Sequence, residues 1–231
     1  MARKSTPHPR GVALPHAAQF RRGLLRWFRR HGRDLPWRRT RDPYHITVAE
    51  FMLQQTQVSR VEAYYGRFLE RYPTLETLAR SEPALVREAW AGLGYYRRAA
   101  NLHRLAQTVV DRHEGVIPSD PARLLALPGI GRYTAGAVAS FAYQRATPAI
   151  DTNVARVIRR AFLPRLAPGR QERRLWEIGA AIMPRRNGPA AWAFNQAIME
   201  LGALICTARV ARCSACPVSG ACATGKKAIG R

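Results

Sequence analysis

The chain contains very little lysine. Of the 38 lysine and arginine residues among 231, only Lys4, Lys226 and Lys227 are lysines, so no lysine occurs from Ser5 to Gly225. Arginine stays protonated and cannot serve as an amine nucleophile. A mechanism that needs an imine-forming lysine in the core is therefore almost excluded.

Long apolar runs are missing as well. No stretch reaches the roughly 18 residues that a membrane span requires. The basic N-terminus lacks the apolar segment of a secretory signal. Hydrophobic residues nevertheless make up 47% of the chain, enough to bury a core. We expect a soluble protein of the cytoplasm, associated with the nucleoid in a bacterial-type cell.

Acidic residues are few: 15 of them face 38 basic residues, which gives a formal net charge of +23. A charge of this size predicts a polyanionic partner, with nucleic acid as the default. The alternative is an arginine-rich composition that reflects biased coding.

Apolar residues recur with helical spacing, and alternating segments typical of strands are absent, so the sequence predicts an all-α fold. Residues 1–16 form a flexible basic arm in this interpretation. After a helix that starts at Ala17, the predicted helices cover 42–60, 61–71, 74–80, 83–91, 95–114, 120–127, 133–144, 153–162, 172–182 and 189–205.

All four cysteines lie within 17 residues near the end of the chain. They are Cys206, Cys213, Cys216 and Cys222, with the spacing C-x6-C-x2-C-x5-C. Clustered cysteines in an intracellular chain favour a metal site over disulfides. Four thiolates can hold a zinc ion or an iron–sulfur cluster, and the spacing alone leaves both open.

The segment Pro128, Gly129, Ile130 and Gly131 separates two predicted helices. Its glycines permit a positive φ and a close approach of the backbone to another surface. The next helix, which begins near Arg132, would aim its first N–H groups outward, as a phosphate site requires. Ile130 would fill the core of the hairpin. The ordinary alternative is a tight turn between packed helices.

Glu50 is the only charged residue between Ile46 and Val58. On a helix it would share a face with Ile46, Leu53 and two glutamines. Burial disfavours the charged form of a carboxylate, which suits a general acid. The alternative is a partly exposed glutamate at the rim of the helix.

Asp151 directly precedes an apolar-periodic helix, where aspartate is a preferred N-cap, and capping alone would explain it. A carboxylate held by helix N–H groups is also fixed and ionised, as a nucleophile or cation stabiliser must be. One protonated and one ionised carboxylate form the pair that breaks a glycosidic bond.

Four segments resemble, in order and spacing, the adenine DNA glycosylases (the MutY family) within the endonuclease III-like helix-hairpin-helix superfamily. They are Glu50–Val58, Gly92–Arg98, Leu127–Gly136 and Asp151–Val154. The cysteine spacing resembles the [4Fe–4S] loop of the same superfamily. The resemblance extends from about Phe20 to Cys222.

The resemblance implies two α-helical lobes with a cleft between them. A six-helix lobe over 35–145 would carry the helix-hairpin-helix, and a lobe made of 17–34 and 146–231 would carry a structural [4Fe–4S] cluster. The implied partner is double-stranded DNA with a mismatched or damaged base, bound by a monomer.

Residue by residue, the resemblance implies that Glu50 protonates a flipped adenine and that Asp151 stabilises or traps the sugar cation. Tyr133 and Asn153 would orient the base and the nucleophile. Tyr133 stands where endonuclease III-like enzymes carry their imine-forming lysine. The resemblance therefore predicts a monofunctional glycosylase of base excision repair, which leaves an intact abasic strand.

Extruding a base leaves a gap in the stack that the enzyme must fill. Gln55, Leu93 and Tyr95 match the wedge and opposite-strand contacts of the family. From the residues alone, the segment from Gly92 to Tyr96 could equally be an interhelical turn with packed aromatic side chains.

Two other hypotheses compete with adenine excision. Most adenine glycosylases continue into a Nudix-like domain that recognises 8-oxoguanine, whereas this chain continues only nine residues beyond Cys222. That favours a thymine or uracil mismatch glycosylase of the same superfamily, while the glutamine-rich segment Gln54–Gln57 favours adenine. The third hypothesis is a non-catalytic iron–sulfur DNA-binding protein, which would need neither Glu50 nor Asp151.

Overall fold

A computed structural model describes residues 14–164 and 172–230, and within these ranges it contains twelve α-helices and no β-strand. The all-α prediction is confirmed. Residues 1–13 of the predicted arm lie outside the described ranges. The helices are α1 (Ala17–His31), α2 (Pro43–Leu53), α3 (Val58–Arg71), α4 (Leu75–Ala79), α5 (Pro83–Ala89), α6 (Arg97–His113), α7 (Pro121–Leu125), α8 (Arg132–Phe141), α9 (Thr152–Phe162), α10 (Glu172–Ile182), α11 (Pro189–Leu204) and α12 (Ala223–Ile229).

Two helix predictions need correction. The helix predicted over 42–60 ends at Leu53, and α3 starts only at Val58. Between them Gln55 has a φ of 56°, in the left-handed region, so the chain cannot continue as one helix. In addition, α12 was not predicted. Its first turn is capped by the Cys222 sulfur, which accepts a hydrogen bond from the Gly225 N–H at 3.3 Å.

The chain divides into two compact units. The first, called here the hairpin unit, consists of Arg33–Ala149 and Asn187–Trp192. The second, the cysteine unit, consists of 14–32, 150–164, 172–186 and 193–230 among the described residues.

Residues 146–149 and 187–192, which the sequence division assigns to the cysteine lobe, group with the hairpin unit. Hydrogen bonds and close packing explain this grouping. The Ala146 N–H donates to Asn187 Oδ1 at 2.8 Å, and the Gly188 N–H donates to the Gln144 carbonyl at 2.7 Å. A Cβ at Gly136 of α8 would lie 2.3 Å from the Pro148 carbonyl oxygen, so α8 and this segment are in direct backbone contact.

Helix α2 lies at the centre of the hairpin unit, where it packs against α3, α6 and α8. Every residue from Ile46 to Met52 is buried, whereas a helix at the surface of a protein usually has one face exposed to solvent. Tyr44 in its first turn and Trp37 in the segment before it are also buried. The only acidic side chain of α2 is therefore held in a largely apolar surrounding.

In the cysteine unit, α9 packs against α10 and α12, and α1 packs against α10. Gly23 of α1 permits a close approach to the segment between Cys216 and Cys222, because a Cβ there would lie 2.8 Å from the Pro217 carbonyl oxygen. Among the described residues, no helix is both long and apolar enough to cross a membrane.

Candidate functional site

Glu50 is buried in the middle of α2, with only 3% of its surface exposed. Asp42 caps the start of this helix: its Oδ1 accepts hydrogen bonds from the N–H groups of Tyr44 at 2.7 Å and His45 at 3.0 Å. Phe51 and Met52, next to Glu50 in sequence, are fully buried. The Glu50 carboxyl group is therefore held away from water at the centre of the hairpin unit.

The guanidinium of Arg98 closes the other end of α2. Arg98 is 6% exposed, and its Nη1 donates to the carbonyl oxygens of Phe51 at 3.0 Å, Met52 at 2.7 Å and Gln54. A helix leaves these last carbonyls unpaired, and its C-terminal end attracts a cation. This long-range cap stabilises the end of α2 at Leu53, where the left-handed backbone of Gln55 interrupts the helix.

An open groove of about 650 Å³ runs between the α2–α3 loop and the loop that precedes α6. Gln55, Thr56 and Leu93 line it together with Arg60 and Tyr64 of α3. The structure thus brings the predicted DNA contacts Gln55 and Leu93 together. Gln55 is exposed, whereas Leu93 shows only 5% of its surface.

Tyr95, the third predicted contact of these loops, is 60% exposed and has a φ of 47°. An aromatic side chain with this much exposed surface is unusual, since most large apolar groups of the chain are buried. It follows the groove residue Leu93 by two positions and projects from the same loop.

The predicted hairpin forms between α7 and α8. Gly129 has a φ of 76°, and a Cβ there would lie 2.7 Å from Asn101 Cβ and 2.9 Å from Phe51 Cε1, so glycine is required. Ile130 is 7% exposed and fills the core of the hairpin as expected. At Gly131 a Cβ would meet no atom within 4 Å, which leaves the backbone before α8 open to a ligand.

Tyr133 lies in the first turn of α8 and is half-buried, while Arg132 beside it and Gly129 of the turn are exposed and Pro128 is half-buried. Because α8 packs against α2, Tyr133 belongs to the same packed helix pair as Glu50. The described lysines are Lys226 and Lys227 of α12, in the cysteine unit.

Asp151 caps α9 in the cysteine unit, as predicted, and both of its carboxylate oxygens accept hydrogen bonds. Oδ1 accepts from the Val154 N–H at 2.7 Å, and Oδ2 accepts from Nδ2 of Asn153 at 3.1 Å. The side chain is half-buried. The structure therefore brings Asp151 and Asn153 together and holds the carboxylate in one orientation.

Arg156 continues this chain of hydrogen bonds toward the cysteines. Its Nη2 donates to Asn153 Oδ1 and to the Gly202 carbonyl, both at 2.7 Å, and its Nε donates to the Cys206 carbonyl at 2.8 Å. A Cβ at Gly202 would lie 2.8 Å from Asn153 Cβ, so Gly202 leaves the space that Asn153 occupies.

The four cysteines are half-buried and line one small cavity together with Arg160. Arg160 Nη1 donates to the Cys206 sulfur at 3.3 Å, and the Gly225 N–H donates to the Cys222 sulfur at 3.3 Å. Burial raises the pKa of Cys216 to about 11, and it also raises the pKa of Cys222. Thiolates at this place need a positive partner such as a metal.

Within the described ranges, no three histidine, cysteine or acidic side chains are grouped closely enough to hold one metal ion. In a four-iron cluster each cysteine binds a different iron, so the four sulfurs surround the cluster instead of converging on one atom. The four sulfurs around one cavity match in number the ligands of a [4Fe–4S] cluster or of a zinc ion.

Sequence reasoning missed three arginines: Arg98, Arg156 and Arg160. A signal was present in each case. Arg98 stands at the helical spacing of the apolar residues Leu102, Leu105 and Val109, where an exposed arginine is not expected. Arg156 and Arg160 follow Asn153 at three and seven residues, on one face of α9.

The pattern of the HhH-GPD superfamily base excision DNA repair proteins matches residues 48–180. That range includes Glu50, the hairpin and Asp151, and it covers more than half of the chain. The chain therefore belongs to the HhH-GPD superfamily of base excision DNA repair proteins.

Within this superfamily the chain is similar to adenine DNA glycosylases. It is 47% identical over 197 residues to the adenine DNA glycosylase of Mycolicibacterium smegmatis, covering 85% of this chain and 66% of that one. To the adenine DNA glycosylase of Homo sapiens it is 43% identical over 215 residues, covering 88% of this chain and 39% of that one. The chain thus spans less than two thirds of the length of either relative.

Solved structures share the fold over nearly their whole length. A thermostable thymine-DNA glycosylase superimposes with a TM-score of 0.83 and 30% identity, covering 91% of this chain and 97% of that one. Endonuclease III in a trapped covalent DNA complex superimposes with a TM-score of 0.78 and 24% identity, covering 95% of this chain and 100% of that one.

Proposed function

We propose that this chain is a monofunctional DNA glycosylase of base excision repair that removes adenine mispaired with 8-oxoguanine or guanine. The similarity to adenine DNA glycosylases supports the substrate. The observation that carries the chemistry is the pair of carboxyl groups in opposite surroundings. Glu50 is buried inside α2, and Asp151 is held by N–H donors at the start of α9.

In the proposed reaction, Glu50 donates a proton to a ring nitrogen of the extruded adenine. The bond between sugar and base then breaks, and its electron pair leaves with the protonated base. The carboxylate of Asp151 stabilises the resulting sugar cation, either by its charge or by a transient covalent bond. Water adds to the sugar carbon, and its proton returns to Glu50. The products are free adenine and an abasic site.

The absence of a core lysine supports a monofunctional enzyme. Strand cleavage through an imine needs an amine at the sugar carbon, and the position of that amine in endonuclease III-like enzymes is held by Tyr133. No lysine occurs between Ser5 and Gly225. The proposed enzyme therefore leaves the phosphodiester backbone intact.

We further propose that Cys206, Cys213, Cys216 and Cys222 bind a [4Fe–4S] cluster. Two of the sulfurs accept hydrogen bonds, from Arg160 and from the Gly225 backbone, and both donors would stabilise thiolates. The cluster, when bound, supplies positive charge to the thiolates and crosslinks the loop. Purified protein should contain about four irons per chain, and Cys216→Ser should lower both the iron content and the melting temperature.

We propose double-stranded DNA as the partner of the monomer. The open backbone of the hairpin and the exposed Arg132 suit a phosphate, while Gln55, Leu93 and Tyr95 suit the bases near the gap that the extruded adenine leaves. Binding should weaken steeply with salt, because phosphate contacts release counterions. A binding constant that does not change with salt concentration would contradict this interface.

Thymine excision is the second candidate function. A thymine-DNA glycosylase superimposes on this chain with a TM-score of 0.83 and 30% identity, which supports this candidate. The 47% identity to an adenine glycosylase against 30% to the thymine glycosylase favours adenine.

The test is single-turnover base release from duplexes that carry adenine opposite 8-oxoguanine, adenine opposite guanine, thymine opposite guanine or uracil opposite guanine. Each reaction is analysed with and without hot alkali. Strand breaks at adenine that require alkali would support the proposal. Breaks confined to thymine or uracil would move the chain to the second candidate, and breaks without alkali would refute the monofunctional mechanism.

The same assay separates an enzyme from a binding protein. Asp151→Asn should strongly reduce base release while the affinity for the duplex persists. If wild type and Asp151→Asn both bind DNA and neither releases any of the four bases, the protein is not a glycosylase.

A further inference from the structure

Two loops of the hairpin unit carry the residues proposed to enter the duplex. The first, the Gln55 loop, joins α2 to α3, and the second, the Tyr95 loop, precedes α6. Both contain a non-glycine residue in the left-handed region. Gln55 has a φ of 56° and Tyr95 a φ of 47°. A non-glycine residue in this region is strained relative to ordinary backbone. A conformation of this kind persists only where surrounding contacts maintain it.

Arg98 contacts both loops at once. Beyond the carbonyls of α2, its Nη2 donates to Thr56 Oγ1 in the first loop and to the carbonyls of Leu93 and Gly94 in the second, each at 3.0 Å. Its Nε donates to the Tyr95 carbonyl at 3.4 Å. Each loop is therefore bonded to the same guanidinium beside its strained residue.

The chemistry of this site requires arginine. The acceptors of Arg98 are six carbonyl oxygens and one hydroxyl, which lie on both edges of the planar guanidinium. Its ring neighbours add cation–π contacts, because the guanidinium carbon lies 5.5 Å from the Trp90 ring and 5.4 Å from the Tyr95 ring. A lysine ammonium has three donors at a single point and cannot span both loops.

Other contacts secure the second loop alone. Arg60 Nε donates to the Gly92 carbonyl at 2.6 Å, and Trp90 Nε1 donates to the Gly94 carbonyl at 3.2 Å. Without Arg98 the second loop would thus keep these two hydrogen bonds. It would lose the side chain that bonds to both loops, so its position relative to the Gln55 loop would no longer be fixed.

We propose that Arg98 is a positioning residue that couples the Gln55 loop to the Tyr95 loop, so that both fill the DNA stack together when adenine is extruded. The inference rests on the proposed function, because it concerns how that reaction begins. Arg98 touches no reacting atom. Its contribution is to the extrusion of a paired base, not to the breaking of the glycosidic bond.

The test compares two substrates that differ in the free energy needed to extrude the adenine from the duplex. One duplex carries adenine paired with 8-oxoguanine, and the other carries adenine opposite a stable abasic-site analogue, where no pairing opposes extrusion. Arg98→Lys should slow single-turnover release from the paired duplex about ten- to a hundred-fold, since small displacements of positioning groups have effects of this size. Release from the unpaired duplex should fall much less.

Two control variants separate this role from general effects. Arg97→Lys makes the same substitution at an exposed position one residue away and should leave both rates unchanged. Val109→Ala destabilises the buried core of the same helix and should change both rates by the same factor, if it changes them at all. Equal slowing of both substrates by Arg98→Lys would reduce Arg98 to a stability role and overturn the proposal.

A second measurement holds even where Arg98 variants fold poorly. Gln55→Ala and Tyr95→Ala should be non-additive on the paired duplex, because one guanidinium couples the two loops. Strict additivity would overturn the coupling. If wild type released adenine from neither duplex, the proposed function itself would fail, which is a different outcome from any named for Arg98.

Discussion

The two helices that carry the proposed catalytic carboxyl groups both begin with an aspartate cap, but they differ in burial and in where the carboxyl group lies. Both start with an aspartate whose Oδ1 accepts backbone hydrogen bonds, Asp42 for α2 and Asp151 for α9. Helix α2 is then buried along its length and holds Glu50 in its interior. In α9 the carboxyl group is the cap itself, half-buried and supported by Asn153.

The difference shows how one functional group can serve two purposes. Removing a carboxyl from water opposes its charge, whereas N–H donors at a helix start favour it. A glycosidic bond is broken by one carboxyl that carries a proton and one that does not. Glu50 is buried in the hairpin unit, and Asp151 accepts hydrogen bonds at a helix start in the cysteine unit.

The largest effect is expected at Glu50. Glu50→Gln keeps the size and burial of the side chain but removes the proton donor, so base release should fall about 10²- to 10⁴-fold at neutral pH. Single-turnover release of adenine measures the loss. Glu62→Gln, on the exposed side of α3, makes the same chemical change and should have no effect.

The two aspartate caps offer a matched pair. Asparagine caps a helix about as well as aspartate, so Asp42→Asn and Asp151→Asn should both leave the melting temperature nearly unchanged. Only Asp151→Asn should lose base release, by about 10²- to 10³-fold through the missing negative charge. Equal losses for the two variants would mean that Asp151 is no more than a cap.

A smaller loss is expected along the hydrogen-bond chain behind Asp151. Arg156→Met removes the donor that holds Asn153, and base release should fall about 10- to 100-fold, as for other supporting contacts of a site. Arg159→Met, on an exposed position of the same helix, is the control. An unchanged rate in Arg156→Met would show that Asn153 is held without it.

The next prediction concerns the stability that depends on the hairpin between α7 and α8, which packs against the helix that carries Glu50. Gly129→Ala forces a Cβ against Phe51 and Asn101 at a positive φ, and should lower the free energy of unfolding by at least about 1–2 kcal/mol. Gly131→Ala meets open space and should be tolerated. Chemical denaturation of both variants compares them, and equal stability would contradict the described packing.

The smallest effect concerns an exposed carboxylate. A hydrogen bond from Arg39 lowers the pKa of Asp34, so any stabilisation by the pair is present above the ordinary pKa range of aspartate and is lost as pH falls. Both side chains are largely exposed, so solvent screens the pair. Asp34→Asn should therefore leave melting curves unchanged at neutral and at acidic pH, and a clear shift in either would contradict this.

Much of the site was predictable because it depends on local signals. Asp151 and Gly129 are read from helix caps and turns, and Glu50 stands out as the only charge in an apolar stretch. The end of α2 was not predictable, because it depends on Arg98, which lies 44 to 47 residues from the carbonyls that it caps. The tie from Arg156 to Cys206 spans 50 residues and was missed for the same reason.

Helix α12 illustrates the same limit on a smaller scale. Its cap is a cysteine sulfur, which is not among the side chains that normally mark a helix start. Thr224, in its first turn, donates to the Arg160 carbonyl at 2.7 Å, so α9 also secures this helix. Neither contact has a signature in the sequence around residues 222–225.

The most direct test of the two-carboxyl mechanism is the pH dependence of adenine release by Glu50→Gln and Asp151→Asn between about pH 5 and 8. If Glu50 supplies the proton, acid from solvent should replace it in part. The rate of Glu50→Gln should then rise toward that of wild type as pH falls, while Asp151→Asn should not recover. Release by Glu50→Gln at the wild-type rate over the whole range would contradict the mechanism.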